Sequence, residues 1–261
     1  MINKNINSNK LDENKVMNCG ELATIVEYNG YNDIVIIFQK TGELVNSTYG
    51  KFKNGKIKSH FSPTIYDFGI LGLEVVKDET GNILECYKFW RGIIRRCYSK
   101  EHQEKNITYK DCTVCEEWKY YANFKKWFNE NYYEIKGQRM ELDKDILIKG
   151  NKVYSPSTCV FVPQHINSLF TKCDKNRGNL PIGVSYSKTR NKFQSQCRIF
   201  DIETKESKQK HLGYNIDKIS AFNIYKQEKE KNVKKVANHY KNEIPNLLYE
   251  AMVNYKVNID D

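Results

Sequence analysis

No run of apolar residues in this chain approaches the roughly 18 that a membrane-crossing helix needs. The first residues, MINKNINSNKLDENK, hold no apolar signal core, which argues against secretion and for a cytoplasmic protein. Their polarity suits a disordered tail over residues 1–17. Tandem repeats and low-complexity blocks are also missing, so solenoid and fibrous architectures are excluded. The eight cysteines include one Cys-x-x-Cys pair, Cys112 and Cys115, and no second pair with a histidine at ligand spacing. A closed structural Zn²⁺ site is therefore not expected, although Cys97 or Cys159 could add a third ligand. In an unexported chain the alternative is free thiols packed as small core residues.

What the sequence does contain is basic charge, unevenly placed. Net charge is +10 and mean hydropathy is -0.71 over 261 residues. Residues 1–85 carry 9 Lys+Arg against 11 Asp+Glu, whereas residues 86–261 carry 33 against 21. The excess cation thus lies wholly in the last two-thirds, which points to a polyanionic partner there.

The chain reads as an α+β protein in three parts. Over residues 18–77, Leu22–Tyr28 and Ile34–Phe38 are β-rich runs joined by a hairpin-type turn. Shorter runs follow at Leu44–Tyr49, Phe52–Ile57 and Ile70–Lys77, with interspersed glycines. Strands so short and evenly spaced suggest a small SH3-like β-barrel. Lys51, Lys53, Lys56 and Lys58 could touch phosphate there or simply guard a sheet edge. Over residues 86–176, Tyr87–Ser99 and Glu116–Asn131 have helical apolar spacing. The second carries Trp118, Tyr121, Phe124, Trp127 and Phe128, a spacing that belongs to a core.

The segment Met140–Phe170 follows as strand, loop, strand and helix start. Leu142-Asp143 ends the first strand. The second is Val160–Val162, and the helix carries His165 and Asn167. A carboxylate at a strand end and a polar ligand on the next helix are what a one-metal phosphodiesterase needs. Taken alone, the same two residues fit equally a loop-capping Asp and a helix-start Asn. With Trp90–Tyr98, Cys112–Trp118 and Asn123-Phe124, the segment resembles the HNH-type endonucleases of phages and mobile elements, over residues 87–170. That resemblance implies a ββα-metal core with flanking helices. It implies Asp143 and Asn167 as ligands of Mg²⁺ or Mn²⁺, and the catalytic set Asp143, Lys144 and Asn167. Two departures stand against cleavage. Lys144 occupies the place of the family's histidine base, and lysine, protonated at neutral pH, is a poor base. Cys159 occupies the place of a loop Asn. His165 lies two residues before Asn167, so on a regular helix it faces elsewhere.

Residues 180–261 read as strands Ile182–Ser187, Lys192–Phe200 and Lys208–Tyr214, then a long helix from Asp217, its N-cap, to Lys241. A last helix is expected over Leu247–Tyr255. In the middle strand Lys192, Gln194, Gln196 and Arg198 share one face, and Phe193, Ser195, Cys197 and Ile199 share the other. The first face is a row of long donors with no acid, suited to base edges and phosphates in a DNA groove. Gly183-Val184, Lys192-Phe193, Arg198, Leu212-Gly213-Tyr214 and Ala221-Phe222…Tyr225 resemble the Apetala2-type DNA-binding domain, a three-stranded sheet on one helix. The resemblance implies contact positions at Ser185, Ser187, Arg190, Gln196, Arg198, Gln209 and His211. The lysines of the long helix, interleaved with Glu228 and Glu230, read as a solvated face.

The expected function is therefore double-stranded DNA binding by a phage- or mobile-element-type protein at the bacterial nucleoid, with metal-dependent cleavage as an extension. The alternative is an inert core and an inhibitor that grips a host protein through its N-terminal barrel.

Overall fold

The computed structural model describes residues 10–171 and 178–261. The elements begin with β1 (Asn14–Val16), β2 (Leu22–Gly30), β3 (Asp33–Phe38), β4 (Leu44–Ser47) and α1 (Tyr49–Lys53). Then come α2 (Glu85–Tyr98), α3 (Lys100–Lys105), β5 (Thr113–Val114), α4 (Tyr121–Asn131), β6 (Met140–Asp143) and β7 (Val153–Tyr154). The chain continues through β8 (Val160–Pro163), α5 (Gln164–Asn167), β9 (Val184–Ser187), β10 (Lys192–Phe200) and β11 (Ser207–Asn215). It finishes with α6 (Lys218–Tyr240) and α7 (Asn246–Val253). The fold is mixed α and β. Among the described residues no helix is long and apolar enough to cross a membrane.

Two compact units form. The first comprises residues 1–130 and 152–156, the second residues 131–151 and 157–261. The segment 86–176, read from the sequence as one part, contributes to both, and its residues 172–176 lie outside the described ones.

In the first unit β1 to β4 form an antiparallel sheet in sequence order. Alternation along β3 sends Ile34, Ile36 and Phe38 inward, where they meet Met17, Ala23, Ile25 and Phe52. The expected SH3-like barrel does not close, since β1 and β4 are the two edges of an open sheet. The runs that would have closed it take other forms. Thr48 caps a helix by accepting from Lys51 N at 3.3 Å, so β4 stops at Ser47 and Phe52 enters the core from α1. The stretch 70–77 makes only isolated bridges, Ile70 with Tyr120 and Lys77 with Ile83. The part of the expected N-terminal tail that the structure describes is not disordered. Asn14–Val16 pair with Leu22–Thr24 and Met17 is buried, while residues 1–9 lie outside the described ones.

Helices α2 and α4 build an aromatic core in the same unit. Trp90 Nε1 donates to the Trp118 carbonyl at 2.7 Å, and the Trp118 ring lies 4.7 Å from Trp127 and 4.9 Å from Phe124. All five aromatics read from the Glu116–Asn131 spacing are buried. The helix itself starts later, at Tyr121, after a 3-10 turn over Glu117–Lys119.

In the second unit β6 pairs antiparallel with β8, with Asp143 opposite Val160, and α5 follows directly. The three-stranded antiparallel sheet has the order β11-β10-β9. Asp217 Oδ1 caps α6 by accepting from Ile219 N and Ser220 N at 3.0 and 2.8 Å. At 23 residues, α6 is about 35 Å long and serves both substructures. Its first turns present Ala221, Phe222 and Tyr225 to Val184 and Cys197 of the sheet. Its last turns present Val233, Val236, Ala237 and Tyr240 to Val160, Val162 and Ile166 of the hairpin and α5. Gly183 permits the first contact. It has φ +76°, and a Cβ there would stand 2.1 Å from the Tyr225 ring.

Candidate nucleic-acid interface

The outward face of the C-terminal sheet collects the residues expected to meet DNA. Register places Lys192 opposite Ser187 and Gln194 opposite Ser185. On the other side Gln196 stands opposite His211 and Arg198 opposite Gln209. Directly opposed residues share a face, so these eight side chains form one surface. Hydrogen bonds join it. Gln194 Nε2 pairs with His211 Nδ1 at 3.0 Å, Gln209 Nε2 donates to Gln196 Oε1 at 3.2 Å, and Gln196 Nε2 donates to Ser185 Oγ at 3.4 Å. Arg190, in the β9–β10 turn, lies 4.6 Å from the centre of the Tyr214 ring.

The opposite face is apolar and closed. Ser195 is fully buried, with its Oγ donating to the Ala221 carbonyl at 2.7 Å, and Cys197 packs beside Phe222 and Tyr225. Burial raises the Cys197 thiol to about 11, so it stays a neutral core group. Cations differ between the two sides. Lys210, on the helix side, pairs with Glu228 at 2.9 Å. Arg190, Lys192 and Arg198 make no ion pair among the described residues, and no acid stands on their face.

Tyr214 joins this face although simple alternation puts it on the other. Ser195 faces Gly213 and Gln196 faces His211, so Leu212 is an extra residue in β11. Such a bulge shifts the parity of the strand, and Tyr214 lands opposite Gln194. The sequence signal was Gly213, which has φ +124°, a conformation that glycine tolerates.

The hairpin of β6 and β8 has a different character. Asp143 Oδ1 accepts from Asp145 N and Ile146 N, both at 2.8 Å, so it caps its own loop. Burial, reinforced by the Asp145 charge, raises its carboxyl to about 6. Lys144 is buried, its Nζ 3.4 Å from Asp145 Oδ2, and its carbonyl accepts from Asn151 Nδ2 at 2.6 Å. Asn167 does point back at the hairpin, but it donates to Glu141 Oε2 at 2.6 Å. Glu141, two residues before Asp143 and so on the same face of β6, is a residue the sequence reading missed. Its signal was the acid alternation in Met140-Glu-Leu-Asp143.

His165 faces away from this face, into the α6 core. Its ring stacks 4.6 Å from Phe200 and lies 5.0 Å from Tyr240, while Nδ1 bonds Gln138 Oε1 at 2.9 Å. Burial and the Lys205 and His239 charges lower its pKa to about 4. Cys159 and Cys112 are buried, and Cys112 Sγ donates to the Thr108 carbonyl at 3.8 Å. Among the described residues no group of three or more His, Cys, Asp or Glu side chains is placed to hold a metal ion.

No protein-family model matches the chain, and neither a curated protein nor a solved structure is significantly similar to it.

Proposed function

We propose that this chain binds double-stranded DNA through the outward face of the C-terminal sheet. The observation that carries the reading is the contrast between the two sides of that sheet. One is buried on α6 with its lysine paired; the other holds Lys192, Arg198 and the hydrogen-bonded pairs Gln194–His211 and Gln196–Gln209 without an acid. Strands β10 and β11, nine residues each, make a ribbon about 30 Å long that suits the major groove. Glutamine amides meet adenine and the Arg198 guanidinium meets guanine by paired hydrogen bonds, while Lys192 meets phosphate. Three strands on one helix is the arrangement expected of an Apetala2-type module, which supports the reading further. A phage- or mobile-element-type origin, and with it a place at a bacterial nucleoid, comes with the HNH-type resemblance of residues 87–170.

The test is base discrimination. Gln196→Ala and Arg198→Ala should each relax the preference at one or two base pairs of a selected duplex, by about 1–3 kcal/mol. Variants that lose neither affinity nor preference would remove the sheet face from the account.

Two further readings each have one observation behind them. Metal-dependent phosphodiester cleavage would use Asp143 and Asn167 with Mg²⁺ or Mn²⁺. The contact of Asn167 with Glu141, on the face that carries Asp143, favours it by gathering three oxygen-bearing side chains. Lys144 would then offset phosphate charge rather than take a proton. Cleavage that survives EDTA, or survives Asp143→Ala, would end this reading. A host-protein contact has the outer face of the N-terminal sheet in its favour, where Val16, Leu22 and Leu44 are 61%, 42% and 62% exposed. Capture of one protein that persists after nuclease treatment would support it.

A further inference from the structure

At the β9–β10 end of the sheet face lies a recess of about 240 Å³ lined by Arg190, Lys192 and Tyr214. Its chemistry is one-sided, with two cations, an aromatic ring and no carboxylate. The volume is below the roughly 300–1,000 Å³ of pockets that engulf a whole small molecule, so it suits one charged group. Its parts are held in advance. The Arg190 guanidinium lies over one side of the Tyr214 ring at 4.6 Å, and the His211 ring lies 4.7 Å from the same ring centre. The turn beneath is tied by Tyr186, whose hydroxyl donates to Asn191 Oδ1, and by Ser187 and Thr189, whose hydroxyls are 3.2 Å apart. Asn191 takes φ +49°, which lets the chain reverse between Arg190 and Lys192.

We propose that this recess seats one backbone phosphate of the bound duplex, with Arg190 and Lys192 as its ligands and Tyr214 as the residue that positions Arg190. The inference rests on the DNA-binding reading and adds a docking point that fixes register. A guanidinium already laid on an aromatic ring gives up little further freedom on meeting a phosphate, and its planar fork matches the anion. Distance supports the placement. Lys192 is four residues from Gln196 along β10, about 13 Å at the rise of a strand. The major groove is about 12 Å wide, so with Gln196 at the base edges the recess meets the groove wall. The phosphate-anchoring role explains why the bulge at Leu212 is useful. Without it Tyr214 would turn to the helix side, and Arg190 would have no ring to lie on.

The experiment measures the affinity of the full chain for a preferred and a scrambled duplex over a salt series. Arg190→Ala and Tyr214→Leu should weaken both duplexes by the same factor, about five- to tenfold. Arg190→Ala should also reduce the slope of log affinity on log salt by about one. Tyr214→Phe keeps the ring and should bind as the unaltered chain does, which separates positioning from any loss of fold in Tyr214→Leu. Wild-type affinity and slope in Arg190→Ala would overturn the proposal while leaving the Gln196 and Arg198 reading intact. A change of base preference in Arg190→Ala would overturn it by making Arg190 a base reader. Displacement of the duplex by inorganic phosphate at constant ionic strength would overturn it in favour of a free-phosphate site. Failure of the unaltered chain to bind any duplex would remove both the proposal and the reading beneath it.

Discussion

Single ionisable groups in the second unit have opposite pH signatures. The carboxyl of Asp143 is raised to about 6 by burial and the Asp145 charge. Its folded-state pKa therefore exceeds the unfolded value near 3.9, and the folded state holds the proton more tightly. Stability falls as pH rises from about 4 through 6, and the loss is complete at neutral pH. Asp143→Asn keeps an acceptor for Asp145 N and Ile146 N and removes the buried charge. It should stabilise the chain at pH 7.5 by up to about 3 kcal/mol and have little effect at pH 4, read from urea midpoints. A destabilised variant at pH 7.5 would mean that the ionised carboxylate is held by something more than two amides. His165 runs the other way. Its pKa is lowered to about 4, so stability is fully present above 6.5 and is lost as pH falls toward 4. His165→Phe keeps a ring against Phe200 and Tyr240 and should flatten that acid limb, by on the order of 1–3 kcal/mol between pH 6.5 and 4. An unchanged acid limb would place the sensitivity elsewhere.

At the scale of elements, the close approach at Gly183 fixes how β9 sits on α6. Gly183→Ala would drive a methyl into the Tyr225 ring and add strain at φ +76°, so it should cost about 2–4 kcal/mol. A variant as stable as the parent would show that the sheet and helix are free to slide. Much of this unit was legible in the sequence. Alternation along Lys192–Phe200 set the strand and its faces, and Asp217 marked the start of α6, because each signal is local. The misses were places where a local signal met a distant or one-residue event. Phe52 looked like a strand residue by type, yet Thr48 capped a helix beneath it. The face of Tyr214 was not assigned in advance, because it depends on the one-residue bulge at Leu212. Glu141, which accepts from the Asn167 amide, was not singled out, and its place beside Asn167 became visible only when β6 paired with β8.

The basic excess lies in residues 86–261, and the sheet face that holds Arg190, Lys192 and Arg198 lies within that stretch. The long helix α6 gives this face its support, packing the sheet at one end and the β6–β8 hairpin at the other. The β6–β8 hairpin and the three-stranded sheet therefore pack on one helix within one unit. Length of helix and separation of strands in sequence could be read in advance, but the sharing of one helix by two modules could not, because it depends on a core cluster that gathers residues as far apart in sequence as Val160 and Val233. The measurement that tests the central claim most directly is the affinity of the full chain for duplex DNA as salt is raised from about 50 to 200 mM. The account predicts a linear fall of log affinity with log salt, made shallower by about one when Lys192, the phosphate contact, is changed to Gln. Binding that ignores salt, or a slope unmoved by that change, would contradict it.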